Sequence, residues 1–354
     1  MESELSLATL ISDAVGIWRH RACGEAKQES GFPDISQAAP DTRRLIRDRR
    51  CCRVLAGGQE SSFDEVSLAC AWQALQYEMA FVPGGEVCLM SDTVAATPNG
   101  LEVFDRAADL IAVESFYLDR HCVTNADYAK FVQSGGYDET NFWPEAVLPN
   151  VLQFVDSSGH PGPKFWAGGN PPADKRNHPV VGICWYEANA YATWAGKRLP
   201  SSEEWQRSGT WPKGHAGDAA EPRYPWGNAF DPGKANIWAH GQGQTVAVDQ
   251  FDTGRTPNGV RQLIGNVWEW VDAQFYPAAE QGVSIMMDQT MAEIRGGAFD
   301  TYFHSQATCQ FRTGQPLLFR GSNVGFRCCI STNAVSAPPQ SQASPETPPE
   351  QEPS

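Results

Sequence analysis

The chain has 354 residues, enough for one large domain with appendages. Its formal net charge of -15 argues against nonspecific binding to nucleic acid or to an anionic membrane. A hydrophobic fraction of 41% with 12 Trp is ample for a core, yet no run approaches about 18 apolar residues, so no membrane-spanning helix is expected.

The opening MESELSLATLISDAVGIWRHR starts acidic and lacks a basic segment followed by an apolar one, so it does not read as a secretory signal. Leu7, Leu10, Ile11, Val15 and Trp18 recur at three- and four-residue steps, which predicts an amphipathic helix. A loop rich in Gly, Pro, Ser and Asp follows at residues 30 to 41. Next, DTRRLIRDRRCCRVL carries Arg43, Arg44, Arg47, Arg49, Arg50 and Arg53, which suits a solvated helix face, a subunit contact or a partner-docking site. With a further apolar helix expected over 64 to 78, residues 1 to 78 form a small, separate helical N-terminal region able to dock a partner. Ten cysteines are not dense in this length, and the neighbours Cys51-Cys52 and Cys328-Cys329 are awkward for disulfides. Reduced thiols and a cytoplasmic location are expected.

The main domain is expected to open at Met79-Ala80-Phe81-Val82, a strand broken by a Pro-Gly turn and continued by a second strand. Phe116 to Asp119 reads as another strand. A helix starts at Thr124, paired with Asp127 in the manner of a capping box, and ends near Gly135. A second helix spans Trp185 to Ala195 and stops at Gly196, and Ser201 with Glu204 caps a third. Residues 206 to 265 are mostly Gly, Pro, Asn, Trp and polar residues, which predicts loops. The tail 332 to 354 has six prolines among Ser, Gln and Glu, and is expected to be disordered.

Six blocks stand in order across residues 79 to 331: FVPGGEV, FYLDRHCVTNADYAKFV, HPVVGICWYEANAYATWAGKRLPSSEEW, YPWGNAFDPGKANIW, GNVWEW and RGGAF with SNVGFRC. Together they resemble the formylglycine-generating enzyme (sulfatase-modifying factor) family. The resemblance implies an α+β fold, a C-type-lectin-like domain with low regular secondary structure, here preceded by the helical N-terminal region. It also implies two cysteines five residues apart that hold copper, since soft thiolates suit Cu(I). Cys309 matches the second of them, and His304 stands at the first. A His-Cys pair can bind copper or iron, but it is a different site; Cys309 can equally be a small buried hydrophobe or pair with Cys328 or Cys329.

The same resemblance implies Ca²⁺ at Gln262, Gly265, Val267 and Glu269, a carboxylate and carbonyls of the kind that hard cation takes. Gln262 replaces the usual Asn there, and a structural Glu269 satisfied by backbone N–H groups is the alternative. A second calcium site would use Asn236 and Ile237, but the loop AHGQGQ after them has no acid. The iron-dependent relatives use a His-x3-His pair, and none of the seven histidines is spaced that way. Loops 300 to 305 and 317 to 322 should flank a Cys309 strand on the ligand face, with Tyr302, Phe303, Phe319 and Arg320 as substrate contacts.

Two functions follow. One is an oxidoreductase-like maturation factor acting on a peptide or peptide-derived small molecule, with Cys309 and His304 as catalytic residues and without the activity of a two-cysteine sulfatase activator. The other is a noncatalytic module that displays loops to a protein or small ligand, as retroelement variable proteins do.

Overall fold

The computed structural model describes residues 32–56, 63–89, 92–97, 100–105, 109–211, 221–275 and 289–336. The chain divides into two compact units, Met1–Pro33 and Asp34–Ser354. The helix expected around Leu7 to Trp18 and the tail beyond residue 336 lie outside the described residues. No described helix is long and apolar enough to cross a membrane.

Three helices come first: α1 (Pro40–Arg47), α2 (Cys51–Leu55) and α3 (Glu65–Glu78). Asp64 starts α3 by accepting the Ser67 N–H at 2.7 Å. The strands β1 (Met79–Val82) and β2 (Gly85–Leu89) follow, separated by Pro83-Gly84, where a Cβ on Gly84 would lie 2.9 Å from the Val113 carbonyl oxygen. Then come β3 (Asp92–Thr97), β4 (Gly100–Asp105), β5 (Asp109–Val113) and β6 (Phe116–Asp119). Thr124 caps α4 (Asn125–Gln133), and a short α5 covers Leu148–Val151. In α6 (Trp185–Ala195) Glu187 reaches back to the Cys184 N–H at 2.9 Å, and Gly196 ends the helix at a φ of 74°. Ser201 and Glu204 form the expected capping box of α7 (Ser202–Thr210). The remaining strands are β7 (Trp268–Gln274), β8 (Met291–Arg295), β9 (Arg312–Pro316), β10 (Val324–Gly325) and β11 (Cys329–Ser331).

β6 is the middle strand of an antiparallel sheet ordered β1-β6-β11, so the two ends of the resembled segment flank the same strand. A second sheet runs β10-β7-β8-β9, with β10 parallel to β7 and the other pairs antiparallel. Two hairpin-like pairs, β2 with β5 and β3 with β4, complete the ladders. Between Trp211 and Val267 the described backbone has only the 3₁₀ turns Pro232–Lys234, Trp238–His240 and Asp252–Gly254. Asn266 organises that stretch from a φ of 69°, a region Asn tolerates better than most residues. Its amide receives the Val246 N–H and the Asn236 side chain, and donates to Val246 O and to Gln262 Oε1.

The core is aromatic. Tyr128 stacks on Tyr191 at 5.4 Å, and Phe131, Trp194 and Phe326 pack edge-on around them. Each such ring contributes roughly 1.5–3 kcal/mol by leaving water, which compensates for short ladders.

Residues 34–78 are not a separate region, contrary to expectation. Their buried side chains share one cluster with Met79 and Ile330. The arginine run faces inward in part: Arg49 lies 3.6 Å from Asp127, and Arg50 and Arg53 donate to the Trp194 carbonyl at the C-terminal end of α6. Cations at that end are favoured by the helix dipole. Arg50 and Arg53 thus dock on the chain's own α6, while Arg44 and Arg47 stay exposed.

Beside this junction the Nδ1 of His121 is buried without a hydrogen-bond partner. Burial first, and the Arg49 charge second, push its pKa down to about 3 from 6.5. The unfolded chain therefore takes up a proton as pH falls below about 6.5 while the fold resists it until about 3, so stability is lost across that window. His121→Gln should flatten the stability–pH profile between pH 6.5 and 4, measured by urea unfolding; an unchanged slope would remove His121 as the cause.

Candidate active site and loop surface

Cys309 is fully buried and lies in a turn ahead of β9, not on a strand. Arg295 Nη2 donates to its carbonyl oxygen at 2.7 Å, and its own N–H donates to Arg223 O. A Cβ on Gly209 would stand 2.6 Å from the Cys309 Sγ, so α7 packs directly on the sulfur. Burial pushes the thiol up to about 12, and the Arg295 charge offsets this only in part. At neutral pH such a thiol is protonated, which disfavours it as a nucleophile or a thiolate ligand. His304 is exposed in the turn His304–Gln306, with its ring stacked on Phe230 at 5.0 Å and Nδ1 3.2 Å from the Tyr224 hydroxyl. Of the readings left open for Cys309, the small buried hydrophobe is the one its surroundings match, with His304 engaged by Tyr224 and Phe230. The described cysteines are all free, so the alternative disulfide of Cys309 with Cys328 or Cys329 is not formed.

The two candidate loops meet where Asn323 Nδ2 donates to the Asp300 carboxylate at 3.0 Å. On one side Tyr302 and Phe303 are exposed, with rings 5.0 Å apart and nearly perpendicular. Trp238, which the sequence did not single out, joins them at 6.2 Å from Tyr302, held by its N–H to the Thr301 carbonyl. On the other side Phe319 and Arg320 line a cleft of about 680 Å³ with Lys164, Phe165 and Leu318. The Arg320 guanidinium does not face that cleft as a free group. It donates to Val155 O and Gly162 O and forms an ion pair with Glu187, whose Oε2 is 2.8 Å from Nε. Arg320 lines the cleft and at the same time staples loops 153–165 and 317–322. No signal in the sequence marks either Trp238 or this staple, because both depend on loops that meet only in three dimensions.

The calcium set also differs from expectation. Both oxygens of Glu269 are engaged by side chains: Arg327 donates at 2.7 and 2.6 Å, Trp205 Nε1 at 2.8 Å and the Cys122 thiol at 3.2 Å. Gln262 Oε1 receives the Asn266 amide, and the Gly265 carbonyl receives the Val267 N–H. A Ca²⁺ here would find the Gln262, Gly265 and Glu269 oxygens engaged and a guanidinium against its carboxylate, so the set Gln262, Gly265, Val267 and Glu269 does not fit the ion. The side-chain donors on Glu269 also replace the backbone donors of the alternative. At the second place, Asn236 Oδ1 is buried without a partner, with no acid in the short loop that follows.

An α+β domain whose short ladders are joined by long packed loops is the class these features define. Residues 69–332 match the sulfatase-modifying factor enzyme 1-like domain, and the chain belongs to that family. It is 32% identical over 307 residues to a formylglycine-generating enzyme of Thermomonospora curvata, covering 72% of this chain and 94% of the relative. It is 30% identical over 286 residues to an inactive C-alpha-formylglycine-generating enzyme 2 of Mus musculus, covering 72% and 85%. A hercynine oxygenase of Mycolicibacterium smegmatis is 33% identical over 207 residues, 55% of this chain, and the match spans only 45% of that relative.

Removing the Arg320 guanidinium leaves the buried Glu187 carboxylate without its counter-ion. Arg320→Ala should therefore destabilise the fold by about 3–5 kcal/mol. A loss under about 1 kcal/mol by urea unfolding would show that the staple is an ordinary surface pair.

Proposed function

We propose that the chain is a noncatalytic binding member of its family that presents an aromatic loop surface to a peptide or peptide-derived ligand. One contrast carries this reading: Cys309 is 0% exposed, while Trp238, Tyr302 and Phe303 are 56%, 65% and 60% exposed. Large rings held in contact with one another supply binding area at little entropic cost. His304 at the edge, and the Asp300–Asn323 pair beside it, offer hydrogen bonds around the apolar centre. A relative named as inactive within the same family supports a noncatalytic role. The oxidoreductase reading draws on the likeness to hercynine oxygenase, but its two candidate groups sit in unlike surroundings, one sealed and one at the surface.

Peptides selected from a displayed random library on the wild-type protein provide the probe, with tryptophan fluorescence as the readout. Trp238→Ala and Tyr302→Ala should each weaken the selected peptide by about tenfold or more, the scale of an aromatic anchor. Cys309→Ala should leave affinity unchanged, and iodoacetamide should leave Cys309 unmodified in the native protein. Rapid alkylation of Cys309, or binding lost in Cys309→Ala and kept in the aromatic variants, would return the site to the thiol-based enzyme reading.

A further inference from the structure

We infer that Arg327 supplies, from within the chain, the cation that Glu269 would otherwise take from solution, so that this part of the fold is independent of calcium. Its guanidinium lies in the space between the Glu269 carboxylate and the 261–262 turn. Nε and Nη2 form a fork on Glu269 at 2.7 and 2.6 Å. Nη2 also donates to Arg261 O at 2.9 Å and approaches Gln262 O at 3.4 Å. Nη1 donates to Asp119 O at 3.1 Å. A divalent cation bridging this carboxylate and these carbonyls would do the same work of drawing three segments together. The arginine does it with directed N–H groups and cannot dissociate.

Both partners are sealed from water, Arg327 at 0% and Glu269 at 1% side-chain exposure. Trp205 Nε1 and the Cys122 thiol complete the carboxylate's partners from two further elements. A second positive charge placed within this shell would meet the guanidinium with little screening. The arrangement therefore excludes the ion sterically and electrostatically rather than merely lacking a ligand for it.

Thermal unfolding of the full chain in CaCl₂ and in EGTA tests this. A bound ion held only by the folded state would raise Tm by several degrees. The expected result is no difference for the wild type. A difference that persists in Glu269→Gln places the ion elsewhere and also supports the inference; one that disappears in Glu269→Gln overturns it. If Glu269→Gln does not fold, Gln262→Met, which removes the side-chain oxygen a calcium would use but keeps the ion pair, takes its place in that comparison. Arg327→Gln should be less stable and should gain a calcium-dependent rise in Tm, because the guanidinium no longer fills the space between the Glu269 carboxylate and the Arg261, Gln262 and Asp119 carbonyls. A folded Arg327→Gln with no such gain would show that the guanidinium does not stand in the cation's place. Should that variant not fold, the wild-type comparison decides alone.

Discussion

The buried pair of Arg327 and Glu269 is the constraint from which the rest of the domain follows. Taking a guanidinium and a carboxylate out of water costs several kcal/mol per ion unless nearly every N–H and lone pair is matched. Here the matching groups come from β7, from the 261–262 turn, from the end of β6 and from Trp205 on α7. β6, α7 and the 261–269 stretch are far apart in the sequence, so satisfying the pair fixes their mutual positions. Shifting any one of them would leave a buried charge unmatched.

The same solution recurs wherever the backbone lacks a ladder. Loop carbonyls need donors, and water does not reach the buried ones. Arg320 serves Val155 and Gly162, Arg207 serves Pro83 and Gly84, and Arg120 serves Asn258 while also closing the last turn of α3 at Gln76 and Tyr77. Arg295 serves Cys309 while paired with Glu293. A planar fork of five N–H groups reaches several carbonyls at once, which a lysine ammonium does less well. A domain with few regular elements can in this way remain rigid, and aromatic packing fills the space the staples enclose.

This economy bears on function. Groups that look reactive in isolation, Cys309 and Arg320, are turned into the body of the domain as packing and stapling groups. What remains outward is a set of rings and short polar side chains on loops whose bases are fixed by the staples. A surface of that kind is suited to recognition, since its ordering cost is met on folding rather than on binding.

The sequence alone determined the local structure. Capping pairs such as Ser201 with Glu204, the glycine stop at Gly196 and the Pro-Gly break after Val82 each act over three or four residues, so they could be read directly. The ordered motif blocks determined the family, and the expected α+β fold with low regular structure is what the chain adopts. Only the tertiary structure decided that Cys309 is sealed under α7, that Glu269 faces Arg327, that Arg320 joins two loops and that Arg50 and Arg53 clamp α6. Trp238 and Tyr302 likewise meet only after the chain has folded. The physical reason is common to all of these. Exposure and charge pairing depend on which distant segments share a neighbourhood, and in a domain held by side-chain staples no short-range periodicity records it.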